Sequence, residues 1–324
     1  MKYVKLGNSG IDISAIMMGT WQMGKSGFRG RSQWLGIEDS ESLMALRGAY
    51  DAGITSFDTA FIYGEGHSEK ILGQALAQVR EKIVIASKMH PLQCARDQVF
   101  NSCHRSLKNL RTDYIDLYQI HFPSGMLGGK VLPIEETMSA LLELKEQGKI
   151  RAIGVSNFTL SQLKEALICG NVDSLQSAYS LFWRHAEKNL IPFCAEKDIT
   201  VLAYSPLAQG LLTGKFGKNL DLSEGDNRLK NKLFLPPYYS LVQEALEKLR
   251  PLAVARGVTL SEIALAWLVS HAGCAAIAGG RYVDQVSINA QASDLELTAE
   301  EIKEMEEASS RVSACFLDDP MMWV

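Results

Sequence analysis

The 324-residue sequence lacks the cysteine patterns that bind zinc or staple small secreted folds. Its six cysteines stand at positions 94, 103, 169, 194, 274 and 315, with no CxxC spacing among them. Such sparse, unpaired spacing is typical of free thiols in a reducing compartment. We therefore expect a cytosolic protein with no disulfide framework and no metal site.

Clustered positive charge and long apolar runs are also scarce. The formal net charge is -4 and no run of Lys and Arg stands out, which argues against nucleic acid or an anionic membrane as partner. No uncharged apolar run approaches the ~18 to 20 residues that a membrane span needs. The first residues, MKYVKLGNSG, lack the apolar segment of a signal peptide. We expect a globular enzyme that acts on a small molecule.

A third absence is the GxGxxG fingerprint that an open, doubly wound sheet usually carries after its first strand. Gly64-Glu65-Gly66 is followed by Glu69 where the third glycine would stand. The run from Gly210 to Lys215 reads GxxxGK, one residue short of a phosphate-binding loop. The sequence therefore gives the open-sheet alternative no support.

Strands and helices alternate along most of the chain. Eight short, apolar, β-rich runs are predicted strands: Ala15–Met18, Thr55–Phe57, Ile83–Ala86, Tyr114–Ile120, Arg151–Val155, Ser174–Ala178, Thr200–Tyr204 and Ala275–Ala278. Helical periodicity predicts helices between them: Asp39–Asp51, Ser68–Gln78, Asp97–Asn109, Ile134–Gln147, Ser161–Leu167, Asn189–Lys197 and Ser261–Val269. Several strands alternate little, as expected of strands buried on both faces. Eight such units predict an α/β fold, a (β/α)8 TIM barrel, with residues 1–324 as one domain.

Four segments fall outside this repeat. Lys2–Ile13 reads as a hairpin that turns at residues 8–10 and would plug the bottom of the barrel. Ser240–Arg256 predicts an extra helix near the C-terminus, and Lys218–Pro237 a long surface loop. The tail Phe316–Val324 is too apolar to remain in water, so we expect it to fold over the rim.

Titratable side chains follow the predicted strands where barrel enzymes carry their chemistry. Asp58 ends the second strand, Tyr63 lies in the loop after it, Lys88 ends the third and His121 follows the fourth. Carbonyl reduction needs a general acid, and a free tyrosine, with a pKa of about 10, is too weak an acid at neutral pH.

Lys88 and Asp58 would correct this weakness. The Lys88 ammonium would lower the pKa of Tyr63 by stabilising the phenolate, and Asp58 would keep Lys88 charged. His121 would donate a hydrogen bond to the substrate oxygen. Taken singly, each of these residue types at a strand end is more often structural, so the hypothesis rests on their joint occurrence on one rim.

Several motifs, in order, resemble those of the aldo-keto reductase superfamily over nearly the whole chain. They are residues 58–64 (DTAFIYG), Ser87-Lys88, residues 113–118 (DYIDLY) with His121, and residues 154–158 (GVSNF). Gly19-Thr20-Trp21 is similar to the strand-one loop of a bacterial branch of broad-specificity reductases, which are monomeric or loosely associated. The resemblance implies NADPH-dependent reduction of aldehydes or ketones, with Asp58, Tyr63, Lys88 and His121 as the catalytic tetrad.

The resemblance also implies a set of cofactor contacts. Ser156, Asn157 and Gln176 would hydrogen-bond the nicotinamide carboxamide, and Tyr204 would stack on the ring. The loop Ser205, Pro206, Leu207, Ala208, Gln209, Gly210, with Lys215 near it, would wrap the pyrophosphate. The adenosine end would be held by Gly279, Gly280, Arg281, Gln285 and Asn289, and further contacts would come from Gly19, Thr20, Trp21 and Asp58.

Arg281 favours NADPH over NADH, with NADH as the lesser alternative. This chain departs from the family pattern beside it, with Ala278 in place of the usual proline and Gly280 in place of the usual alanine. The substrate pocket is predicted from Trp21, Tyr63, His121 and Phe122. Other aromatic residues in rim loops are candidates for the same cleft: Trp34, Phe61, Phe182 and Trp183.

Two other functions are compatible with parts of this pattern. A barrel aldolase would use Lys88 to form a Schiff base, but it leaves Tyr204, the Ser156-Asn157 pair and Arg281 without roles. A cofactor-binding regulatory or sensor protein of the same fold would keep these residues and show little turnover. Borohydride trapping on Lys88 identifies the aldolase, and turnover of generic aldehydes separates the reductase from the sensor.

Overall fold

Eight parallel strands close into a barrel in the computed structural model, which describes residues 1–24 and 38–323. The barrel strands are β3 (Ile16–Gly19), β4 (Ser56–Asp58), β5 (Val84–Lys88), β6 (Ile115–Ile120), β7 (Ile150–Ser156), β8 (Ser174–Ala178), β9 (Thr200–Tyr204) and β10 (Cys274–Gly279). They pair in chain order, and β10 pairs with β3 to close the ring. The predicted (β/α)8 barrel is confirmed, with every predicted strand in place.

Helices surround the barrel between successive strands. Those before the last strand are α1 (Asp39–Asp51), α2 (His67–Leu76), α3 (Arg96–Leu110), α4 (Ile134–Glu146), α5 (Leu160–Cys169), α6 (Leu190–Glu196), α7 (Tyr238–Arg256) and α8 (Leu260–Val269). Two more follow it, α9 (Val283–Gln291) and α10 (Ala299–Ser313). The seven helices predicted between strands agree with these bounds to within two residues at each end.

An antiparallel hairpin closes the bottom of the barrel, as predicted. It consists of β1 (Tyr3–Lys5) and β2 (Asp12–Ser14). Leu6, Ile11 and Ile13 of the hairpin join one buried cluster with inward-facing barrel residues such as Met17 and Leu117. Apolar side chains therefore fill the lower barrel, which leaves the opposite, C-terminal rim for polar groups.

The C-terminal tail returns to that rim. The backbone N–H of Lys232, in the long loop after β9, donates to the carbonyl of Met322 at 2.9 Å. The Met322 side chain is fully buried, and the Trp323 ring meets Trp21 edge-on with centroids 5.8 Å apart. The predicted folding of the tail over the rim is confirmed by the contacts of Met322 and Trp323, and Val324 lies outside the described residues.

No single helix in residues 1–24 and 38–323 is long and apolar enough to cross a membrane. One pair meets the length and composition criteria jointly, α7 with α8, and the two helices are bent by 90° at the break between them.

Candidate active site

A buried lysine joins three groups of strand β4 and the loop after it at the C-terminal rim. Lys88 Nζ donates to Asp58 Oδ1 at 2.6 Å, to the Thr59 carbonyl at 2.9 Å and to the Tyr63 hydroxyl at 3.2 Å. The Lys88 side chain is 0% exposed. Strands β4 and β5 lie side by side and end here, so the barrel brings Asp58 and Lys88 together as the sequence analysis expected.

Glycines let the loop after β4 fold tightly around Tyr63. Gly66 has φ +87° and donates its N–H to the Phe61 carbonyl at 2.6 Å. A Cβ at Gly66 would lie 2.3 Å from Asn109 Nδ2, and one at Gly24 would lie 2.8 Å from the Tyr63 backbone. Neither position accepts a side chain without movement, and the turn therefore holds the Tyr63 phenol toward Lys88.

The pKa of Lys88 is raised although burial works against its charge. Burial alone would lower that pKa, but the charge of Asp58 and the hydroxyl of Tyr63 outweigh it. Lys88 is therefore a firmly protonated ammonium, which opposes the aldolase alternative, because a Schiff base needs the neutral amine.

The pKa of Tyr63 shifts in the direction opposite to the one expected. Withdrawal from water raises it above its usual value, and the opposing effect of Lys88 does not cancel this rise. Asp58 raises the pKa of Tyr63 further. Tyr63 is therefore protonated at neutral pH: Lys88 lowers its pKa as expected, but burial outweighs this effect and the net shift is upward.

His121 lies beside Tyr63 as a neutral imidazole. The two rings meet edge-on with centroids 5.9 Å apart. Burial holds the pKa of His121 well below its usual value, and the charges of Lys88 and His90 act in the same direction. Nδ1 of His121 is buried with no hydrogen-bond partner within the described ranges. A neutral imidazole here can donate one N–H to a substrate oxygen.

The second oxygen of Asp58 is held by two amides. Gln176 Nε2 donates to Oδ2 at 2.9 Å and Gln119 Nε2 donates to the same atom at 3.4 Å. Gln176 Nε2 also donates to Gln119 Oε1 at 3.4 Å. Both glutamine side chains are buried. Gln176 was predicted from the sequence, whereas Gln119 was not.

The residues expected at the nicotinamide already form a hydrogen-bonded row. The Tyr204 hydroxyl donates to Asn157 Oδ1 at 2.9 Å. Asn157 Nδ2 donates to the His121 carbonyl and to Ser156 Oγ, each at 3.0 Å. Asn157 adopts φ +61°, a left-handed conformation that is uncommon outside glycine and often found at functional sites.

The loop expected at the pyrophosphate carries three more such residues. Ser205, Ala208 and Gln209 have φ of +53°, +47° and +55°. Asn231, which is fully buried further along the same loop, donates from Nδ2 to Gln209 Oε1 at 3.1 Å. This hydrogen bond supports the strained turn. Pro206 and Leu207 lie within this turn.

Three cations gather beside this loop. Lys215 Nζ and the Arg228 guanidinium lie 5.0 and 5.2 Å from the centre of the Phe216 ring. Burial lowers the pKa of Lys215, and repulsion from Arg228 and Arg281 lowers it further. Burial and repulsion from Arg228 lower the pKa of Arg281 in the same way. Cations that destabilise one another in a partly buried place are suited to an anionic ligand.

The residues expected at the adenosine end of the cofactor are ordered by amides. Asn289 Nδ2 donates to the Gly279 carbonyl at 3.2 Å, and Gln285 Oε1 accepts from the Arg281 N–H at 2.8 Å. Gln22, which the sequence analysis missed, bridges the carbonyls of Gly19 and Gly280 from its Nε2 at 2.9 and 3.0 Å. It ties the first and last barrel strands together at the rim.

The first strand contributes its end to the same rim. Thr20 donates from both its N–H and its Oγ1 to the Asp58 carbonyl, each at 3.0 Å. A Cβ at Gly19 would lie 2.9 Å from Ile277 Cγ2, so glycine allows β3 and β10 to close. The bond from Thr20 fixes the backbone of Asp58 as the amides fix its side chain.

The aromatic residues divide between rim and core. Phe122 stacks on His121 with centroids 5.0 Å apart, and Trp21 is half-buried beside Trp323. Phe61 lies under the Arg105 guanidinium at 3.7 Å. Phe182 and Trp183 are fully buried, so they do not line an open cleft. Trp34 lies outside the described residues.

Arg228 and Gln119 left only weak signals in the sequence, and neither residue was predicted. Arg228 stands in a loop without periodicity, and an Asp-x-Arg spacing with Asp226, which it pairs at 2.5 Å, was the only hint. Gln119 is, with Asp116, one of two strongly polar residues in the run IDLYQI. An amide at an inward-facing position of such a strand is the signal that would have identified it.

Comparisons with known proteins agree with this architecture. A family profile described as "Aldo/keto reductase family" matches residues 15–310. The NADH-specific methylglyoxal reductase of Escherichia coli is 33% identical, over 96% of this chain and 100% of the relative.

Two solved structures are similar over nearly their whole length. The glycerol dehydrogenase of Gluconobacter oxydans is 30% identical with a TM-score of 0.85, over 95% of each chain. The aldo/keto reductase of Klebsiella pneumoniae in complex with NADP and acetate is 28% identical with a TM-score of 0.74, over 100% of this chain and 99% of the other. The resemblance inferred from the sequence is thereby confirmed: this chain belongs to the aldo/keto reductase family of oxidoreductases.

Proposed function

We propose that this enzyme reduces aldehydes and ketones to alcohols with NADPH, using Tyr63 as the proton donor. One observation carries the proposal above the others. The Lys88 ammonium bridges Asp58 Oδ1 and the Tyr63 hydroxyl at the barrel rim, beside a neutral His121. A donor, a cation that stabilises its conjugate base and a neutral orienting group are what carbonyl reduction requires.

The side chains divide the reaction between them. When bound, the nicotinamide supplies the hydride to the carbonyl carbon. Tyr63 donates its hydroxyl proton to the carbonyl oxygen as that oxygen gains negative charge, and the Tyr63 phenolate is then stabilised by Lys88. Asp58 keeps Lys88 cationic, and His121 donates an N–H to the same carbonyl oxygen.

The raised pKa of Tyr63 makes it a weaker acid, so proton donation depends on Lys88, which stabilises the phenolate as it forms. Because its hydroxyl stays protonated at neutral pH, the acid form needed for reduction predominates. Alcohol oxidation needs the phenolate as base instead, so it should accelerate as the pH rises.

The rim is suited to a dinucleotide phosphate. Ser156, Asn157 and Gln176 offer hydroxyl and amide groups for a carboxamide, and Tyr204 offers a ring face held by its bond to Asn157. Gln176 Oε1 makes no hydrogen bond within residues 1–24 and 38–323 and is not sealed from solvent. We assign it as an acceptor for the carboxamide N–H.

The charge of the site favours NADPH over NADH. Lys215, Arg228 and Arg281 surround the place where the adenosine phosphate and pyrophosphate would lie. The Klebsiella relative was crystallised with NADP, whereas an Escherichia coli relative is named as NADH-specific. NADH is therefore the alternative to be measured.

Residues 1–324 would act as one catalytic domain, as a monomer or weak homo-oligomer, on small carbonyl compounds. Methylglyoxal is the first substrate to test because an Escherichia coli relative is named for its reduction. The cytosol is the proposed location, since all six cysteines are free thiols.

The test is NADPH consumption with methylglyoxal and with nitrobenzaldehyde, in the parent protein and in Tyr63→Phe. We expect turnover in the parent and a loss of about 10²- to 10⁴-fold in kcat/KM for Tyr63→Phe, the usual contribution of general acid catalysis. Equal rates in the two proteins would exclude Tyr63 as the acid. NADPH binding without turnover in the parent would favour the regulatory or sensor alternative.

A further inference from the structure

Gln119 lies beneath the catalytic cluster in a space kept open for it. It is the fifth residue of β6, faces the barrel interior two residues before His121, and is fully buried. It is paired in register with Gly154 on β7. A Cβ at Gly154 would lie 2.9 Å from Gln119 Cγ, so a side chain there would displace the amide.

Both polar atoms of the Gln119 amide make hydrogen bonds. Nε2 donates to Asp58 Oδ2 at 3.4 Å, and Oε1 accepts from Gln176 Nε2 at 3.4 Å. Gln176 donates in turn to Asp58 Oδ2 at 2.9 Å. The three side chains form a closed ring of hydrogen bonds on one oxygen of the carboxylate, while Lys88 holds the other oxygen.

The two glutamines differ in what else they can reach. Gln176 has an acceptor open to the rim and is assigned above to the carboxamide. Gln119 is sealed below, with Gly154 and Leu117 on its flanks. It cannot touch substrate or cofactor from this position, and it acts only through Asp58 and Gln176.

We propose that Gln119 is a positioning residue for catalysis: its amide fixes the Asp58 carboxylate so that one oxygen stays on Lys88, and it partly neutralises the charge of the other. This inference rests on the proposed function, because it presupposes that Lys88 and Tyr63 carry the proton chemistry. It assigns a role to a side chain that contacts neither the substrate nor the cofactor.

The direction of its effect follows from the charges around Asp58. Lys88 and Tyr63 face the carboxylate directly, and His121, with His90 beyond it, faces Lys88. The charge of Asp58 raises the pKa of both Lys88 and Tyr63. An N–H pointed at the carboxylate screens part of that charge. Removing the N–H should therefore raise the pKa of Tyr63 further.

Gln119→Met tests this, since methionine keeps the length of the side chain but has no N–H. We expect the basic limb of the kcat/KM profile for reduction to move upward by about half a pH unit or more, because hydrogen bonds to charged groups are worth roughly a unit. At neutral pH kcat/KM should fall by roughly three- to tenfold, since a weaker acid transfers its proton more slowly.

Two control variants separate positioning from packing. Ser174→Ala removes a buried hydroxyl of the same layer that has no partner within the described ranges, and its pH profile should match that of the parent. Gln176→Met should weaken NADPH binding, measured by quenching of protein fluorescence, more than Gln119→Met does, because Gln119→Met leaves the acceptor of Gln176 in place.

The outcomes distinguish this inference from the proposed function. No turnover in the parent protein would overturn the proposed function itself. Turnover in the parent together with an unshifted basic limb in Gln119→Met, whatever its kcat, would overturn the role of Gln119 alone. A downward shift of the limb, or equal shifts in Gln119→Met and Ser174→Ala, would also overturn it.

Discussion

Lys88 Nζ lies 2.6 Å from Asp58 Oδ1, and both side chains are almost completely removed from solvent. Two opposite charges buried together have lost their hydration, and their mutual attraction with added hydrogen bonds repays that cost. The Thr59 carbonyl and the amides of Gln119 and Gln176 supply those additional bonds. Each of the two buried charges is therefore stabilised only while its partner is present.

Removing one charge of the Lys88–Asp58 pair should lower the free energy of unfolding more than removing both charges. Lys88→Met strands the Asp58 carboxylate, and we expect a loss of about 3 to 5 kcal/mol in the free energy of unfolding. Asp58→Asn in the Lys88→Met background removes the stranded charge and should recover part of that loss. Urea unfolding of the parent, both single variants and the double variant gives the coupling energy. Additive losses would show that the two charges do not stabilise each other.

His185 should make the fold sensitive to acid. Burial lowers its pKa from 6.5 to about 4, although Asp319 opposes the shift. In the unfolded chain the imidazole binds a proton below about 6.5, whereas in the folded chain it does so only below about 4. Stability from this group is therefore complete above pH 6.5 and declines as the pH falls toward 4, by up to roughly 3 kcal/mol.

His185→Gln should flatten this decline. The measurement is the free energy of unfolding in urea at several pH values between 7 and 4.5, with His104→Gln, an exposed histidine, as the control. His121 also has a depressed pKa, so the slope should shrink and not vanish. An unchanged slope in His185→Gln would mean that folding does not lower the pKa of His185.

The parts of this molecule that the sequence predicts are those set by local pattern. The strands were readable because both of their faces are buried. Asp58, Lys88 and His121 were readable because each lies at the C-terminal end of such a strand. The rule that barrel chemistry lies at strand ends then placed them on one rim.

The parts that the sequence does not predict depend on closure of the barrel. Gln119 reaches Asp58 across 61 positions of sequence, and no local pattern reports such a contact. The sign of the Tyr63 pKa shift depends on how completely the surrounding loops remove water. Arg228 becomes part of the cation cluster only when its loop brings it beside Arg281.

The cation cluster should set the preference for NADPH. Arg281→Ala and Arg228→Gln each remove a cation beside the proposed phosphate site, so we expect the dissociation constant of NADPH to rise about tenfold, as for the loss of a charge-assisted contact. The dissociation constant of NADH should change little in Arg281→Ala. Fluorescence quenching by each cofactor measures both, and Arg250→Gln, an exposed arginine paired with Glu247, is the control. Equal weakening of both cofactors would place Arg281 away from the adenosine phosphate.

Met322 should anchor the C-terminal tail. Its side chain is fully buried, whereas that of Met321 is partly exposed. We expect Met322→Ala to cost about 2 kcal/mol, the lower end of the range for buried methionine, because a terminal segment can detach without unfolding the barrel. Carboxypeptidase should then release the tail faster from Met322→Ala than from Met321→Ala. Equal release from the two variants would contradict the anchoring role.

Gly154 should be intolerant of even one methyl group, for a reason that is purely steric. Its φ is not in the left-handed region, so alanine fits the backbone, but its Cβ would lie 2.3 Å from Ser174 Oγ and 2.9 Å from Gln119 Cγ. We expect Gly154→Ala to lose about 1 to 3 kcal/mol, the usual cost of overpacking. Gly217→Ala, where a Cβ meets nothing within 4 Å, is the matched control.

The double variant Gly154→Ala/Ser174→Ala separates the two contacts of that methyl group. Removing the Ser174 hydroxyl relieves the shorter contact, so stability should recover in part, while Ser174→Ala alone should change it little. The pressure on Gln119 remains in the double variant. If Gln119 positions Asp58, the recovered stability should not bring back the parent pH profile, and the basic limb should stay shifted. Recovery of both together would mean that the methyl group acts on the packing of β7 and not on the catalytic cluster.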